Sequence, residues 1–156
     1  MDNKDKLFKY AIYYLSKFSS SKKNLEYILK KKIRRLTDEK KIRFQLYSEI
    51  DTIIEKLESL NFIDDKSFTE SKIQSLLNQA KSKNYIQQYL LQKGVNNKLI
   101  SEQISLFYHN KDIEKENALK FAKKKNLLNN KEDYEKKLSK MARAGFSYDI
   151  AKEILK

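Results

Sequence analysis

Residues able to perform chemistry are few in this chain. One histidine, His109, and no cysteine leave no soft metal site and no thiol nucleophile. A lone histidine near a helix end reads as a surface or capping residue. Two glycines, Gly94 and Gly145, stand far apart in the sequence, whereas a phosphate-cradling loop needs several within a few residues. Asp64 and Asp65 are adjacent, which does not make them converge on one metal or proton; as the start of a helix they are sufficiently explained. No catalytic residue, metal or cofactor is expected, and the sequence reads as a non-enzyme.

Charge is the chemistry that remains. Thirty-four Lys and Arg against twenty-one Asp and Glu leave a formal +13. Such a field attracts polyanions: nucleic acid, an anionic membrane face or an acidic protein surface. The charge is clustered. Residues 22–35 hold Lys22, Lys23, Lys30, Lys31, Lys32, Arg34 and Arg35 against Glu26 alone, a net +6. At about 100° per residue, Lys23, Tyr27, Lys30 and Arg34 form a narrow stripe roughly opposite Leu25, Leu29, Ile33 and Leu36. A cationic stripe with an aromatic inside it suits a phosphate backbone; the competing reading is a solvated lysine face. Lys120, Lys123 and Lys124, with Lys125, make a second cluster in which the solvated face is the stronger reading. Tyr13 and Tyr27 point away from the apolar stripes and are the candidates for base stacking. Tyr14 and Tyr89, like most of the ten tyrosines, fall at core spacing.

The elements that must position these residues are helical. Proline is absent and glycine occurs twice, so the expected fold is all-α. The longest uncharged run, Asn84 to Gln92, is far short of the ~20 apolar residues of a membrane span. Asp2 and Asp5 ahead of a short apolar stretch do not make a secretory signal. Without cysteine a reducing compartment is permitted, and a cytoplasmic location is expected.

The two glycines mark two copies of one unit. Apolar residues stand at +1, +5 and +10 from each (Val95, Leu99 and Ile104; Phe146, Ile150 and Leu155) and at −4 (Leu90, Met141). That pattern predicts a helix, a glycine stop at positive φ, a hydrophobic step and a second helix. Ser21, Leu25, Leu29 and Ile33 match Ser82, Ile86, Leu90 and Gly94, so the first unit carries Ile33 in place of glycine and its helix runs a turn further. Three units follow: 1–62, 63–110 and 111–156. In the first, Leu7, Ala11, Tyr14, Leu15 and Phe18 line one helix, and Ser19-Ser20-Ser21 breaks the chain and caps the next. Ile42, Leu46, Ile50, Ile53, Leu57 and Leu60 line a third that stops at Asn61-Phe62. In the second, Asp64-Asp65 begin a helix lined by Ile73, Leu76, Leu77 and Ala80; Ser82 caps the next. In the third, the helices are expected to reach Leu128, to span Glu132–Ala144 and to span Ser147–Leu155.

Four segments resemble the RecX family, regulators of the bacterial recombinase RecA. Ala11 to Lys17 (AIYYLSK), followed by Ser20 and Leu25, is similar to the family's opening A-x-x-Y-L-x-x-R-x-x-S. Leu57 to Phe68 (LESLNFIDDKSF) resembles its most specific motif, L-x-x-L-x-[FY]-[IL]-[DN]-D-x-x-[FY]. Lys93-Gly94-Val95 fits the central K-G-[VI] step, and Arg143 to Ile150 (RAGFSYDI) resembles the closing R-R-G-F-S-x-x-x-I. The likeness covers the whole chain. Lys17 replaces the usual arginine, Asn24 stands where glutamate is common, and Ala144 replaces one arginine of the closing pair. The motif positions carried over as structural are Tyr14, Leu15, Asp64, Asp65, Phe68, Gly94, Gly145 and Phe146, and Arg143 joins the candidates for DNA contact.

The resemblance implies three tandem three-helix repeats in a curved, elongated array. It implies binding in the groove of the RecA–DNA filament, touching protein and single- or double-stranded DNA. The implied outcome is inhibition of strand exchange, ATPase and co-protease activity, and so a part in homologous recombination, DNA repair and the SOS response. A monomer is expected, since no dimerisation heptad is visible. Two other readings stay open: a helical DNA binder of the transcription-factor kind, which would dimerise on a two-fold site, and, more distantly, a membrane-surface module.

Overall fold

The computed structural model describes residues 2–110, 112–129 and 131–156. Lys111, at the expected second join, lies outside the described residues. Among these there are nine α-helices and no strand: α1 (Asn3–Lys17), α2 (Lys22–Leu36), α3 (Lys40–Ser59), α4 (Asp65–Asn78), α5 (Lys83–Gln92), α6 (Asn97–Phe107), α7 (Ile113–Lys124), α8 (Tyr134–Arg143) and α9 (Tyr148–Ile154). The chain is all-α, as its composition requires. Asp2, Ser21, Asn96, Asp133 and Ser147 each accept a backbone N–H of the helix that follows, which satisfies donors that a helix start leaves free.

The helices fall into two compact units. The first holds α1 to α3, α4 as far as Thr69, and Lys93–Val95; the second holds the remainder. In the first, Leu7 and Ala11 of α1, Leu25, Leu29 and Ile33 of α2 and Leu57 of α3 are fully buried in one core. Each such leucine or isoleucine contributes ~1.5–3 kcal/mol. In the second, Ala118 and Ala122 of α7, Leu138 and Met141 of α8, Phe146 and Ala151 share a core, with the Phe146 ring 5.4 Å from that of Phe121. α2 runs three residues past Ile33, the extra turn expected where the glycine is missing.

Several expected positions move. Spacing predicts Phe18 and Leu60 on buried faces, but they are 58% and 52% exposed. Their helices end at Lys17 and Ser59, so the helical period no longer holds there. α7 stops at Lys124, short of Leu128: Asn126 turns the chain at φ 55, and the Leu127 N–H returns to the Ala122 carbonyl at 2.8 Å. Leu127 is thereby buried and Leu128 left out. α8 begins at Tyr134 after the Asp133 cap, where Glu132 was expected. Ala80, expected to line α4, lies past its end at φ 60.

Among the described residues five helix ends use positive φ: Asn61, Ala80, Gly94, Asn126 and Gly145. At four of them the next N–H reaches back across the last turn, as Phe62 does to Leu57 (2.9 Å), Lys81 to Leu76 (3.0 Å) and Phe146 to Met141 (3.1 Å), which satisfies stranded carbonyls. Asn and Ala serve at three of these ends, so backbone conformation alone does not demand glycine. Close approach does. A Cβ on Gly94 would run into the Lys23 side chain, and one on Gly145 into the Ser82 hydroxyl.

These close approaches belong to a joint built twice. The Ser21 hydroxyl accepts from the Asn24 N–H at 3.1 Å and donates to the Lys93 carbonyl. The neighbouring Lys22 N–H donates to Asp65 Oδ1 at 2.8 Å. In the second unit the Ser82 hydroxyl accepts from the Tyr85 N–H at 3.1 Å and donates to the Ala144 carbonyl at 2.7 Å. The Lys83 N–H donates to both Glu114 oxygens, at 3.1 and 3.2 Å. Burial pushes the Glu114 carboxyl above its ordinary range against the pull of that amide. In each joint the cap serine of a middle helix binds a carbonyl just before a glycine, and an acid from elsewhere in the chain binds the next backbone N–H.

Candidate nucleic-acid interface

α2 is held at both ends, and this rigidity positions its charges. At its start stands the Ser21 joint. At its end Arg43 of α3 donates from Nε to the Thr37 carbonyl (2.7 Å) and from Nη2 to the Arg34 carbonyl (3.0 Å) and Asp38 (3.0 Å), covering carbonyls that a helix end strands. Arg34 and Arg35 occupy the last turn, where the helix dipole favours cations.

The seven cations of residues 22–35 do not stand equal. Lys22 Nζ pairs with Glu58 at 3.0 Å, and its backbone is bound by Asp65. Lys23 and Lys30 both face Glu26, at 3.5 and 2.8 Å; the Lys30 ammonium donating to Glu26 holds that carboxyl below its ordinary range. Lys32 lies over the Tyr10 ring at 4.6 Å and Lys31 over the Tyr27 ring at 5.4 Å. Lys31, Arg34 and Arg35 are exposed and have no carboxylate partner among the described residues. With Tyr27 they span ~100° of the helix surface opposite its buried side. The stripe of Lys23, Tyr27, Lys30 and Arg34 thus has one acid along its edge, and its open charge lies on Lys31, Arg34 and Arg35.

Lys120, Lys123 and Lys124 are exposed on α7 and Arg143 on α8, both in the second unit. Lys123, Lys124 and Arg143 sit in last turns, a placement that the helix dipole stabilises without any ligand. The Arg143 Nε donates to the Ser139 carbonyl at 3.4 Å.

The motif residues do structural work. Asp64 caps α4, accepting from the Lys66 N–H at 2.9 Å and the Ser67 hydroxyl at 3.1 Å, while Asp65 reaches across to α2. Phe68 and Phe146 are buried. Leu15 and Tyr14 pack half-buried against the first core, and the Tyr14 hydroxyl accepts from Asn24 Nδ2 at 3.5 Å. Ser21 and Ser82, expected as caps, cap their helices and also donate to carbonyls far along the chain, whereas Glu114 and Arg43, which hold a joint and a helix end, were not singled out by sequence. Serine at two aligned cap positions was the visible signal; Glu114 and Arg43 had none. No cluster of metal-ligating residues occurs among the described residues, and no described helix is long and apolar enough to cross a membrane.

One variant tests how far Glu26 offsets the stripe. Glu26→Gln releases Lys23 and Lys30 together, and DNA affinity should rise a few-fold at ~0.1 M salt with a steeper dependence of log affinity on log salt. Oligonucleotide titrations at several salt concentrations measure this; an unchanged slope would place Lys23 and Lys30 outside the contact.

A family described as RecX, second three-helix domain, matches residues 64–102. The regulatory protein RecX of Clostridioides difficile (strain 630) is 36% identical over 127 residues, covering 75% of this chain and 59% of that protein. The regulatory protein RecX of Clostridium botulinum (strain Alaska E43 / Type E3) is 36% identical over 135 residues, covering 79% and 62%. The crystal structure of RecX from Lactobacillus salivarius superposes with a TM-score of 0.66 at 25% identity, over 97% of this chain and 94% of that one. The chain spans about three-fifths of the length of these two curated relatives.

Proposed function

Because the chain belongs to the RecX family of regulatory proteins, we propose that it binds in the groove of the RecA–DNA filament and inhibits recombinase, ATPase and co-protease activity without chemistry of its own. The observation that carries this is the open charge of Lys31, Arg34 and Arg35 on a helix braced at both ends, in a chain whose relatives are named regulatory proteins. Phosphates of filament DNA would meet that face, and another face would meet RecA. Occupying the groove that partner DNA or a substrate must enter is enough to inhibit. The proposal includes a three-repeat division at 1–62, 63–110 and 111–156, a monomer and a cytoplasmic location. Lys22 contributes to the joint in this reading, and Lys120, Lys123, Lys124 and Arg143 are secondary phosphate contacts.

The deciding experiment is an assay of DNA-dependent ATP hydrolysis and strand exchange with the cognate RecA. The protein should slow both while hydrolysing no ATP itself, and should bind RecA–DNA filaments more tightly than naked DNA, because only the filament offers phosphates and protein surface together. No effect on either activity at concentrations that saturate the filament would overturn the RecA reading and leave a plain DNA-binding role.

A further inference from the structure

The charge of α2 does not stand alone: α1 extends the same face. Two contacts orient the pair. Lys32 of α2 lies over the Tyr10 ring of α1 at 4.6 Å, and Asn24 of α2 donates to the Tyr14 hydroxyl at 3.5 Å. Tyr10 and Tyr14 therefore mark the side of α1 turned to α2, and Asn24 and Lys32 the side of α2 turned to α1. At about 100° per residue, the positions next round on α1, away from buried Leu7 and Ala11, are Lys6, Tyr13 and Lys17. On α2, away from Leu25, Leu29 and Ile33, they are Arg35, Lys31 and then Tyr27. All six are exposed, with Tyr13 at 60% and Tyr27 at 56%. Each of these two tyrosines carries a lysine: Lys17 Nζ stands 6.0 Å from the Tyr13 ring centre and Lys31 Nζ 5.4 Å from that of Tyr27.

We propose that this two-helix face is a base-stacking platform, on which Tyr13 and Tyr27 take unpaired bases while the cations beside them hold the phosphates, so that it prefers a single nucleic-acid strand to a duplex. The proposal rests on the DNA-binding reading above and adds a ligand class and a contact type to it. In a duplex the faces of the bases are covered by their neighbours, so surface tyrosines reach them only on an unpaired strand. A ring with a cation beside it offers a stacking surface and a phosphate contact within one nucleotide's length.

The test uses the full chain, the variant Tyr13→Ala/Tyr27→Ala and the variant Tyr13→Phe/Tyr27→Phe, with three probes of equal length: oligo(dT), a strand of stable abasic spacers and a duplex. Both tyrosines are exposed, so the variants fold, which circular dichroism verifies. Oligo(dT) should bind the alanine variant at least about tenfold more weakly than wild type, while phenylalanine restores binding. Affinities of the abasic strand and the duplex should stay within about twofold, and the salt slope should not change. Equal losses on all three probes, or no loss on oligo(dT), overturns the platform and leaves phosphate binding standing. Wild-type protein that binds none of the probes overturns the DNA-binding reading itself.

Discussion

Replacing Lys31, Arg34 and Arg35 together with glutamate should weaken binding to DNA by about a hundredfold or more at ~0.1 M salt, while the melting temperature falls by only a few degrees, because the reversed charges at 34 and 35 oppose the helix dipole. Each phosphate contact contributes ~0.9 to the slope of log affinity against log salt, so loss of three should flatten the slope by nearly three units. Like charge then faces the phosphates and deepens the loss. The fold should survive, because all three side chains are exposed and without carboxylate partners among the described residues. Lys30 is left in place deliberately. It donates to Glu26 at 2.8 Å, and a glutamate there would set two carboxylates one turn apart, mixing a stability effect into a binding measurement. In the RecA assay the triple variant should no longer slow ATP hydrolysis. Unchanged DNA affinity and slope would move the contact off α2, and Lys120, Lys123 and Lys124 would become the residues to reverse.

The largest stability effect is expected at the glycines. Gly145→Val should destabilise the protein by about 3 kcal/mol, from positive φ at a β-branched residue and from a Cβ driven into the Ser82 hydroxyl, which breaks its bond to the Ala144 carbonyl. For a chain of this size that corresponds to roughly 10 °C in melting temperature. Gly94→Val should act similarly against Lys23. The two causes separate in a cycle. Gly145→Ala in wild type suffers both; in a Ser82→Ala background the steric part falls away, so the two changes should cost less together than the sum of each alone. Thermal and urea denaturation of the four proteins measure it. Strict additivity, or a Gly145→Val protein that melts like wild type, would remove the joint as the reason for glycine.

Local and periodic features were legible in the residues. No proline and two glycines required helices. Ser21 before Leu25, Leu29 and Ile33 announced a capped helix with one buried side, and those three residues are fully buried. The excess of Lys and Arg in residues 22–35 was visible as composition. The spacing around Gly94 and Gly145 revealed that one unit recurs. Such signals survive in a single sequence because they depend on neighbours within one or two turns, where helix geometry is constant. The same period misplaced Phe18 and Leu60, each just past a helix end, where the chain leaves that geometry; Ala80 also lies past its helix yet is buried as the spacing expects.

Tertiary structure alone decided which charges are open and which residues meet. Glu58 neutralises Lys22 from another helix, so the count over residues 22–35 overstated what α2 offers to a ligand. Asp65, adjacent to a capping aspartate, turns from its own helix to bind the start of α2. Glycine at 94 and 145 answers to Lys23 and Ser82, partners far away in sequence, whereas Asn61, Ala80 and Asn126 adopt positive φ without it. Tyr13 joins the face of Tyr27 only because α1 lies against α2 with Tyr10 under Lys32. Each of these depends on how one helix is set against another, through contacts between residues many turns apart. Periodicity tells which side of a helix is buried, and only packing tells what it is buried against.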